Sequence, residues 1–395
     1  MKVLRNKCKR IPNAEKSERM DNEMKKVIAL ILCLVLCLAA VSVHAEETGE
    51  EENTVASLIE EAFGLLMEGD YPGAAELIKK AAETGDFGAE KTLGDCYASG
   101  LGVAQDDRLA AEWYAKSAGQ GYAPAQALLG NLYLSGRGVE QDLETALKYI
   151  RLAVEQDDPA GQYYLGFCYE TGTAVEQDAV KAVEYYKLSA DQGLADAQYR
   201  LGVMYQTGTN AEQDFDQAFH YYGLAAAQNY PEAMTALGFF YGQGLGTEQN
   251  TDEMLKYYRM AAEVGEPMAL FNLGCCYRDG MGVEPDDEEM LKYFNLAVDL
   301  GNANAQFNLG YCYYTGQGVE QNYDEAFRLY LLAANQEFPV AMFAVGDCYY
   351  LGHGTEQNTE TAAEWYRKAL DAGYEPDETD QAHMKEVFGQ ETAKP

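Results

Sequence analysis

The sequence predicts an all-α solenoid, and three observations carry that prediction. A Leu-Gly pair (Val-Gly in the last copy) recurs every 36 residues, eight times and without insertion. Each copy shows the apolar spacing of two amphipathic helices. A fixed period in this range is typical of solenoids, in which each repeat buries its apolar face only by stacking on its neighbours. Positions below are counted from the eight repeat glycines, which are Gly94, Gly130, Gly166, Gly202, Gly238, Gly274, Gly310 and Gly346.

The first helix of each repeat, helix A, is indicated by a stripe of small and apolar residues. Position −5 is alanine except at Gly161, position −1 is leucine except at Val345, and position +3 is always tyrosine. These positions lie on one face of a helix. Because glycine inside a helix costs about 1 kcal/mol relative to alanine, we expect the backbone of another helix to lie too close for a Cβ at the repeat glycine.

Both ends of the loop between the two helices are marked by typical capping residues. Glycine at +6 ends helix A in every repeat and suits a left-handed C-cap. A further glycine follows at +8, except at Ala174 and Asn210. Asp or Asn at +12 is a good N-cap for the second helix, helix B, and Asn250–Glu253 and Asn322–Glu325 have the spacing of a capping box. Aromatic residues at +19 and +20 are expected in the core.

The repeat pattern resembles a known family. The consensus A-x-x-x-L-G-x-x-Y-x-x-G-x-G-V-x-x-D-x-x-x-A-x-x-Y-Y-x-x-A-A is similar to the Sel1-like repeat, a relative of the tetratricopeptide repeat, and residues 86–373 hold eight consecutive copies. The resemblance implies a right-handed superhelix of antiparallel helix pairs. It also implies an adaptor or binding scaffold and not a catalyst.

The segment before the repeats predicts export. Residues 1–23 are polar, and we interpret them as a preface upstream of the natural start at Met24. Residues 24–45 combine a basic start, an apolar run and the small-x-small end of a secretory signal. We expect cleavage after Ala45 and a secreted, periplasmic or cell-surface location. An uncleaved membrane anchor is the alternative, although the apolar run is short for a span that needs about 20 residues.

Capping units are predicted at both ends of the repeat array. Residues 46–53 form an acidic linker, and residues 54–85 form a degenerate first repeat in which Ala74, Leu77 and Gly85 keep the register of the next copy. Residues 374–395 contain a short helix over Asp377–Phe388 and a tail. Atypical terminal repeats are expected because the ends of a solenoid must present a polar face.

The charge of the chain excludes one class of partner. The chain has 29 basic and 64 acidic residues and a net charge of −35. Without residues 1–45 the balance becomes 20 basic to 60 acidic, a net charge of −40. Nucleic acid is excluded because it is bound through basic patches. A strongly charged partner would have to be basic.

No metal, cofactor or catalytic site is predicted. Glutamate recurs at +10 in seven repeats, and we interpret it as a solvated loop position, since a calcium site needs about 6–8 converging oxygens. After Ala45 the histidines are His220, His353 and His383, and none has a zinc spacing or a partner suggesting a catalytic triad.

The cysteines are expected to be buried thiols. Five of the six that follow Ala45 stand at +2. Equivalent residues of neighbouring repeats should be about 8–10 Å apart or more, whereas a disulfide needs Cα atoms at about 4.4–6.8 Å. Cysteine-rich members of the family close each repeat with a disulfide, but the second cysteine of each pair is missing here. We therefore expect the thiols to pack as small apolar groups.

A binding surface is predicted on the A helices. By similarity to the tetratricopeptide geometry, positions −3, +1 and +4 should line a concave face, and they vary between repeats. Exposed aromatic residues in such a row would be unusual without a ligand, and aromatics with arginine carry most interface energy. The alternative is that neighbouring A helices cover them and make them core. The hypothesis is a groove for an extended peptide or a partner helix, oriented by Arg278 and Asp347 and lined by Phe271, Arg278, Phe307, Tyr311, Tyr314, Phe343, Asp347 and Tyr350.

Two functions remain open for this groove. The first is that of an exported scaffold that binds another protein. The second is that of a cell-wall glycan binder, which would use the same aromatics as platforms for sugar rings. A sugar site needs polar side chains around each aromatic ring, and Gln206, Thr315 and Asp347 are too few to decide between the two. An enzyme is a third class, which the absence of a recognisable site disfavours.

Overall fold

The computed structural model describes residues 52–391, and every regular element in that range is an α-helix. The predicted preface, the signal peptide and most of the acidic linker lie outside the described residues. The chain divides after Tyr230 into two compact units, called here the N-terminal half (52–230) and the C-terminal half (231–391). The predicted all-α class, with consecutive helices packed in pairs, is confirmed.

The N-terminal half contains one packed helix pair followed by repeats 1 to 4. Each helix packs against the next, and the two helices of one repeat form the tighter pair. Its helices are α1 (Glu52–Glu68), α2 (Tyr71–Glu83), α3 (Phe87–Ser99), α4 (Asp107–Gly119), α5 (Ala123–Ser135), α6 (Leu143–Val154), α7 (Pro159–Thr171), α8 (Ala179–Asp191), α9 (Ala195–Thr207) and α10 (Phe215–Ala226).

The C-terminal half contains repeats 5 to 8 and a final helix, which packs on helix B of repeat 8. In both halves the A helices of the repeats have odd numbers and the B helices even ones. Its helices are α11 (Pro231–Gln243), α12 (Thr251–Glu263), α13 (Pro267–Asp279), α14 (Asp287–Asp299), α15 (Ala303–Thr315), α16 (Tyr323–Ala334), α17 (Pro339–Leu351), α18 (Thr359–Asp371) and α19 (Glu378–Glu391).

The predicted C-caps are confirmed. The glycine at +6 has a left-handed backbone in all eight repeats, with φ from 68° to 83°. Position +8 is left-handed as well, including Ala174 at φ 65° and Asn210 at φ 64°. Glycine is preferred there for a second reason, since a Cβ on Gly138 would overlap the Asp107 carbonyl at the start of the preceding helix B. The loop of one repeat is thus fitted onto the repeat before it.

The predicted N-caps are also confirmed, but the capping box is wrong. In all eight repeats the Asp or Asn at +12 accepts hydrogen bonds from backbone amides in the first turn of helix B. The box would need the Asn250 amide to donate to the Glu253 side chain. That amide donates instead to the Tyr241 carbonyl at 2.9 Å, and Glu253 pairs with Lys256. The same amide–carbonyl bond, from +12 to +3, recurs in every repeat.

The prediction for the repeat glycine needs a correction. A Cβ on Gly238 would stand 2.5 Å from the ring of Tyr258, at position +20 of helix B in the same repeat, and 3.2 Å from the Met254 carbonyl oxygen. A ring lies nearest in seven repeats, and Ile150 takes its place against Gly130. The close neighbour is therefore mainly a side chain and only secondarily a backbone. Glycine is needed at this position because the large side chain at +20 of helix B packs directly against helix A.

The cysteines at +2 are buried free thiols, as predicted. Burial raises the pKa of the Cys168 and Cys312 thiols to about 11 and that of the Cys348 thiol to about 12. These thiols stay protonated at neutral pH and contribute to the core as small apolar groups.

Candidate protein-binding site on the A helices

Position −3 of helix A lies in the core between consecutive repeats. The Phe307 ring contacts the Tyr330 ring of helix B in its own repeat, with ring centroids 5.5 Å apart, and the Phe338 ring just before the next helix A, at 5.9 Å. Phe271 stacks on Phe294 at 5.8 Å in the same way. Phe271 and Phe307 are each half-buried. The row joins neighbouring repeats, so its rings have little surface left for a partner.

The expectation of an exposed side chain is wrong for Phe343. This residue is only 4% exposed. Its ring stacks on Tyr366 and on Tyr374, each with centroids 4.7 Å apart. Tyr374 follows helix α18 and covers the face of Phe343 that would otherwise be open. The alternative in which neighbouring segments turn the aromatics into core holds at this position.

The exposed aromatic residues of the C-terminal half stand at position +1. Tyr311 is 51% exposed and Phe239 is 42% exposed. They belong to repeats 7 and 5, and the half-buried Cys275 holds the same position in repeat 6. In the N-terminal half, position +1 of repeat 3 is the exposed Phe167. Of the eight residues predicted from the sequence, Tyr311 is the most accessible to a partner.

Two tyrosines at position +4 contact histidines. The Tyr314 hydroxyl lies 3.0 Å from Nδ1 of His353, in the loop of the next repeat. Burial raises the pKa of Tyr314 to about 12, so the hydroxyl is protonated at neutral pH. The Tyr350 ring lies against the His383 ring of helix α19, with centroids 5.4 Å apart. Both tyrosines are half-buried, so part of each side chain is open to solvent.

Arg278, at position +4 of repeat 6, lies between the two exposed aromatics of position +1 along the row of A helices. Its Nε is 2.8 Å from Asp279 Oδ1, and its Nη1 donates to Asn308 Oδ1 on the next helix A, also at 2.8 Å. These bonds fix the guanidinium on the A-helix surface. The side chain is 31% exposed, so one side of it remains accessible.

The Asp347 carboxylate has partners within the protein. It accepts a hydrogen bond from the Tyr366 hydroxyl at 2.7 Å and lies 3.2 Å from Nδ1 of His383. Burial raises the pKa of Asp347, and the contacts with Tyr366 and His383 oppose that rise. Helix α19 therefore contacts helix A of repeat 8 through His383, which lies near both Asp347 and Tyr350.

The tyrosine hydroxyls at position +20 of helix B point toward positions +1 and +4 of helix A. Six of the eight repeats carry a tyrosine there, and all six rings are buried. Four of the hydroxyls donate to an acid or amide at +1 or +4 of their own repeat, at distances of 2.5 to 2.8 Å: Tyr114 to Asp95, Tyr186 to Glu170, Tyr222 to Gln206 and Tyr366 to Asp347.

The two other hydroxyls belong to the repeats with the exposed aromatics. Tyr258 is 5% exposed and Tyr330 is 4% exposed. In repeat 5 the positions that supply acceptors elsewhere are Phe239 and Gly242, and in repeat 7 they are tyrosines. Within the described part of the chain, neither the Tyr258 nor the Tyr330 hydroxyl has a hydrogen-bond partner. Burial raises the pKa of both hydroxyls, so both are donors at neutral pH.

Phe239 and the two unpaired hydroxyls were not among the predicted site residues. A signal for them exists in the sequence when positions +1, +4 and +20 are compared across repeats. A tyrosine at +20 accompanies Asp, Glu or Gln at +1 or +4 in repeats 1, 3, 4 and 8. Repeats 5 and 7 keep the tyrosine without such an acceptor and place an aromatic at +1 instead.

Two kinds of site are not found in the described residues. No group of three or more His, Cys, Asp and Glu side chains there could hold a metal ion. Between residues 52 and 391, no helix has both the length and the apolar character that crossing a membrane requires.

A model of the Sel1 repeat matches eight consecutive segments, at residues 92–122, 123–158, 159–194, 195–230, 231–266, 267–302, 303–338 and 339–374. The chain belongs to the Sel1 repeat family. The resemblance drawn from the consensus is confirmed. Each segment after the first starts at the first residue of a helix A, so the family's repeat coincides with one helix pair and the loop that follows.

Solved Sel1 repeat structures are similar to this chain. A Sel1 repeat protein from Oxalobacter formigenes is 31% identical over 64% of this chain and 99% of its own, with a TM-score of 0.58. A protective antigen of uropathogenic Escherichia coli with an SLR fold is 25% identical over 89% of this chain and 94% of its own, with a TM-score of 0.41. A comparison with curated proteins finds no match.

Proposed function

We propose that this Sel1 repeat protein is an exported scaffold that binds another protein along the A helices of its C-terminal half. The observation that carries the proposal is the exposure of Tyr311 and Phe239 at position +1. Sel1 repeats form interaction scaffolds that are generally non-catalytic. The partner would contact +1 and the open edges at +4, whereas the −3 row holds the repeats together.

The distribution of exposure supports this choice of surface. Other large aromatics of the A helices in this half, such as Phe307 and Phe343, stack on rings of helix B in their own repeat. Tyr311 and Phe239 remain exposed. Exposed aromatic side chains are typical of interface anchors. The partly exposed guanidinium of Arg278 adds a fixed hydrogen-bonding group between them.

Export is supported by the sequence of residues 24–45, with its basic start, apolar run and Val43-His44-Ala45 end. An exported Sel1 scaffold would meet its partner outside the cytoplasm, in the secreted, periplasmic or cell-surface fraction. Mass spectrometry of that fraction tests the point, since cleavage after Ala45 gives a mature chain that begins at Glu46.

The binding surface is tested by capture with residues 46–395 as bait. We expect a protein to be retained from the exported fraction and to be lost with the Tyr311→Ser/Phe239→Ser variant. Leu332→Ser is the matched control, because Leu332 is 37% exposed on helix B of repeat 7 and lies off the proposed surface. It should retain the partner. All three proteins should unfold at nearly the same temperature, since each change is made at an exposed side chain.

Four results would contradict the proposal. If the Tyr311→Ser/Phe239→Ser variant retained the partner as wild type does, the partner would not bind through position +1. If Leu332→Ser abolished retention, the binding surface would include the B helices. Capture of cell-wall fragments alone would replace the protein scaffold with the glycan binder. Capture of nothing from the exported fraction would leave the fold without the proposed function.

A further inference from the structure

The unpaired hydroxyls of Tyr258 and Tyr330 identify the form of the partner. We infer that the C-terminal half binds an extended, basic peptide segment whose backbone carbonyls accept hydrogen bonds from these two hydroxyls. The inference rests on the proposed function and specifies the ligand of the same surface. It goes further because it depends on two buried groups that are distinct from the exposed aromatic rings.

The first step concerns where these hydroxyls lie. In repeats 1 and 8 the tyrosine hydroxyl at +20 reaches the +1 side chain, as Tyr366 does with Asp347 at 2.7 Å. The Tyr258 and Tyr330 rings lie against their repeat glycines as the Tyr366 ring does, so we place the Tyr330 hydroxyl toward the exposed Tyr311 and the Tyr258 hydroxyl toward the exposed Phe239. Each of these repeats therefore combines a buried donor with an exposed ring.

The second step is that these donors are exceptions in their own chain. Repeat 6 likewise has no acid or amide at +1 or +4, and its position +20 holds Phe294, a residue without a hydroxyl. Where the hydroxyl is present, an acid or amide accepts from it in four repeats. A buried donor without an acceptor is unfavourable. Two such donors on one face indicate an acceptor that arrives with a ligand.

The third step selects an extended segment over a helix. The carbonyls of a helix interior are already bonded within the helix, whereas an extended segment presents free carbonyls along its length. Neighbouring packed helices are about 10 Å apart, so repeats 5 and 7 are separated by about 20 Å. An extended chain rises about 3.3 Å per residue. The two carbonyls should therefore be about six residues apart.

The fourth step concerns charge. The chain has a net charge of −35, which repels an acidic segment and attracts a basic one. The faces of Tyr311 and Phe239 suit apolar side chains and also the cationic groups of lysine and arginine. The chain's own Lys116 and Lys368 lie over tryptophan rings at 3.4 and 4.3 Å in this manner. A segment with basic and apolar residues near each carbonyl is complementary to the surface.

The test uses a displayed library of random peptides about twelve residues long, selected on residues 46–395 and then measured one by one by fluorescence anisotropy. Tyr258→Phe and Tyr330→Phe remove only the hydroxyls. We expect each to raise the Kd of selected peptides roughly fivefold and the double variant roughly twenty-five-fold. Selected peptides should carry two basic or apolar groups about six residues apart. Tyr366→Phe is the matched control, because its hydroxyl already bonds Asp347, and it should leave the Kd unchanged.

Thermal unfolding separates the inference from a structural role. Tyr258→Phe and Tyr330→Phe should not lower Tm, since no bond is lost, whereas Tyr366→Phe should lower it. Equal peptide affinity in wild type and the double variant would overturn the inference but would not contradict the proposed function as a protein-binding scaffold. A lower Tm for Tyr258→Phe and Tyr330→Phe would show that the hydroxyls have a structural partner such as a bound water, and would overturn it too. Failure to select any peptide would overturn it even if capture of a folded partner succeeded.

Discussion

The ring of Tyr222 lies so close to Gly202 that a Cβ on the glycine would stand 2.6 Å from two ring carbons. The same pairing, between the repeat glycine and position +20, occurs in every repeat, with Ile150 and Phe294 as the variants. It explains why a residue that disfavours helices is kept eight times in the middle of helix A. The glycine sets the depth to which helix B packs.

Gly202→Ala should therefore destabilise the protein, although alanine is the better helix former. We expect a loss of about 2 kcal/mol from the clash with Tyr222, measured by urea unfolding. Gly223 is the control, since it is also helical and has nothing within 4 Å of a Cβ. Gly223→Ala should stabilise by up to about 1 kcal/mol. If Gly202→Ala and Gly223→Ala changed the unfolding free energy in the same direction, the Tyr222 ring would not be what restricts position 202.

A hydrogen-bonded pair of glutamines links helix A to the end of helix B in four of the eight repeats. In repeat 7, Gln336 donates to the side-chain oxygen of the buried Gln306 at 2.8 Å. Repeat 6 holds Leu270 and Leu300 at the same two positions. Gln336→Leu should cost about 1–3 kcal/mol, because it leaves a buried amide without its partner. The double variant Gln306→Leu/Gln336→Leu should recover most of that loss. Equal losses in the single and double variants would contradict the pairing.

Repeat 1 carries Glu90 where the others with this pair carry glutamine. Its carboxylate accepts from Gln120 at 2.8 Å, yet burial raises its pKa. Since the folded-state pKa lies above the ordinary value, the native protein loses stability as pH rises through the interval between the two. Glu90→Gln should remove that loss. We expect it to be more stable than wild type at neutral pH and nearly equal below the ordinary carboxylate pKa. A pH-independent difference would contradict the assignment.

The −3 and +1 rows should respond differently to truncation. Phe343→Ala removes a core ring stacked on Tyr366 and Tyr374 and should cost about 3–5 kcal/mol. Tyr311→Ala removes an exposed ring and should change the unfolding free energy by less than about 0.5 kcal/mol. Denaturant midpoints of the two variants provide the measurement. A large loss of stability for Tyr311→Ala would mean that Tyr311 belongs to the core.

Much of the fold follows from the sequence because the repeat is exact. The +6 glycines, the +12 caps and the helix pairs recur without insertion, so eight copies of a local signal support one interpretation. The identity of the group that contacts the repeat glycine could not be predicted from the sequence. Periodicity shows that a small residue is required at Gly238, but it does not show whether a backbone or the Tyr258 ring causes the requirement.

The candidate site was harder to predict for a geometric reason. Positions −3, +1 and +4 share one face of helix A, and helical spacing alone treats Phe307 and Tyr311 as equivalent. What separates them is the neighbouring segment, since Phe338 and Tyr330 contact the Phe307 ring, whereas Tyr311 is 51% exposed. The polar partners of the +20 tyrosines were visible in the sequence, but only when three positions were compared across repeats.

Site-specific photo-crosslinking is the most direct test of binding along the +1 row. A photoreactive phenylalanine analogue would replace Tyr311, Phe239 or, as the control, the exposed Leu332 of helix B. With the captured partner or a selected peptide, we predict crosslinks from 311 and 239 that map to the same segment, about six residues apart, and none from 332. Crosslinks from 332 without any from 311 or 239 would contradict binding along the A helices.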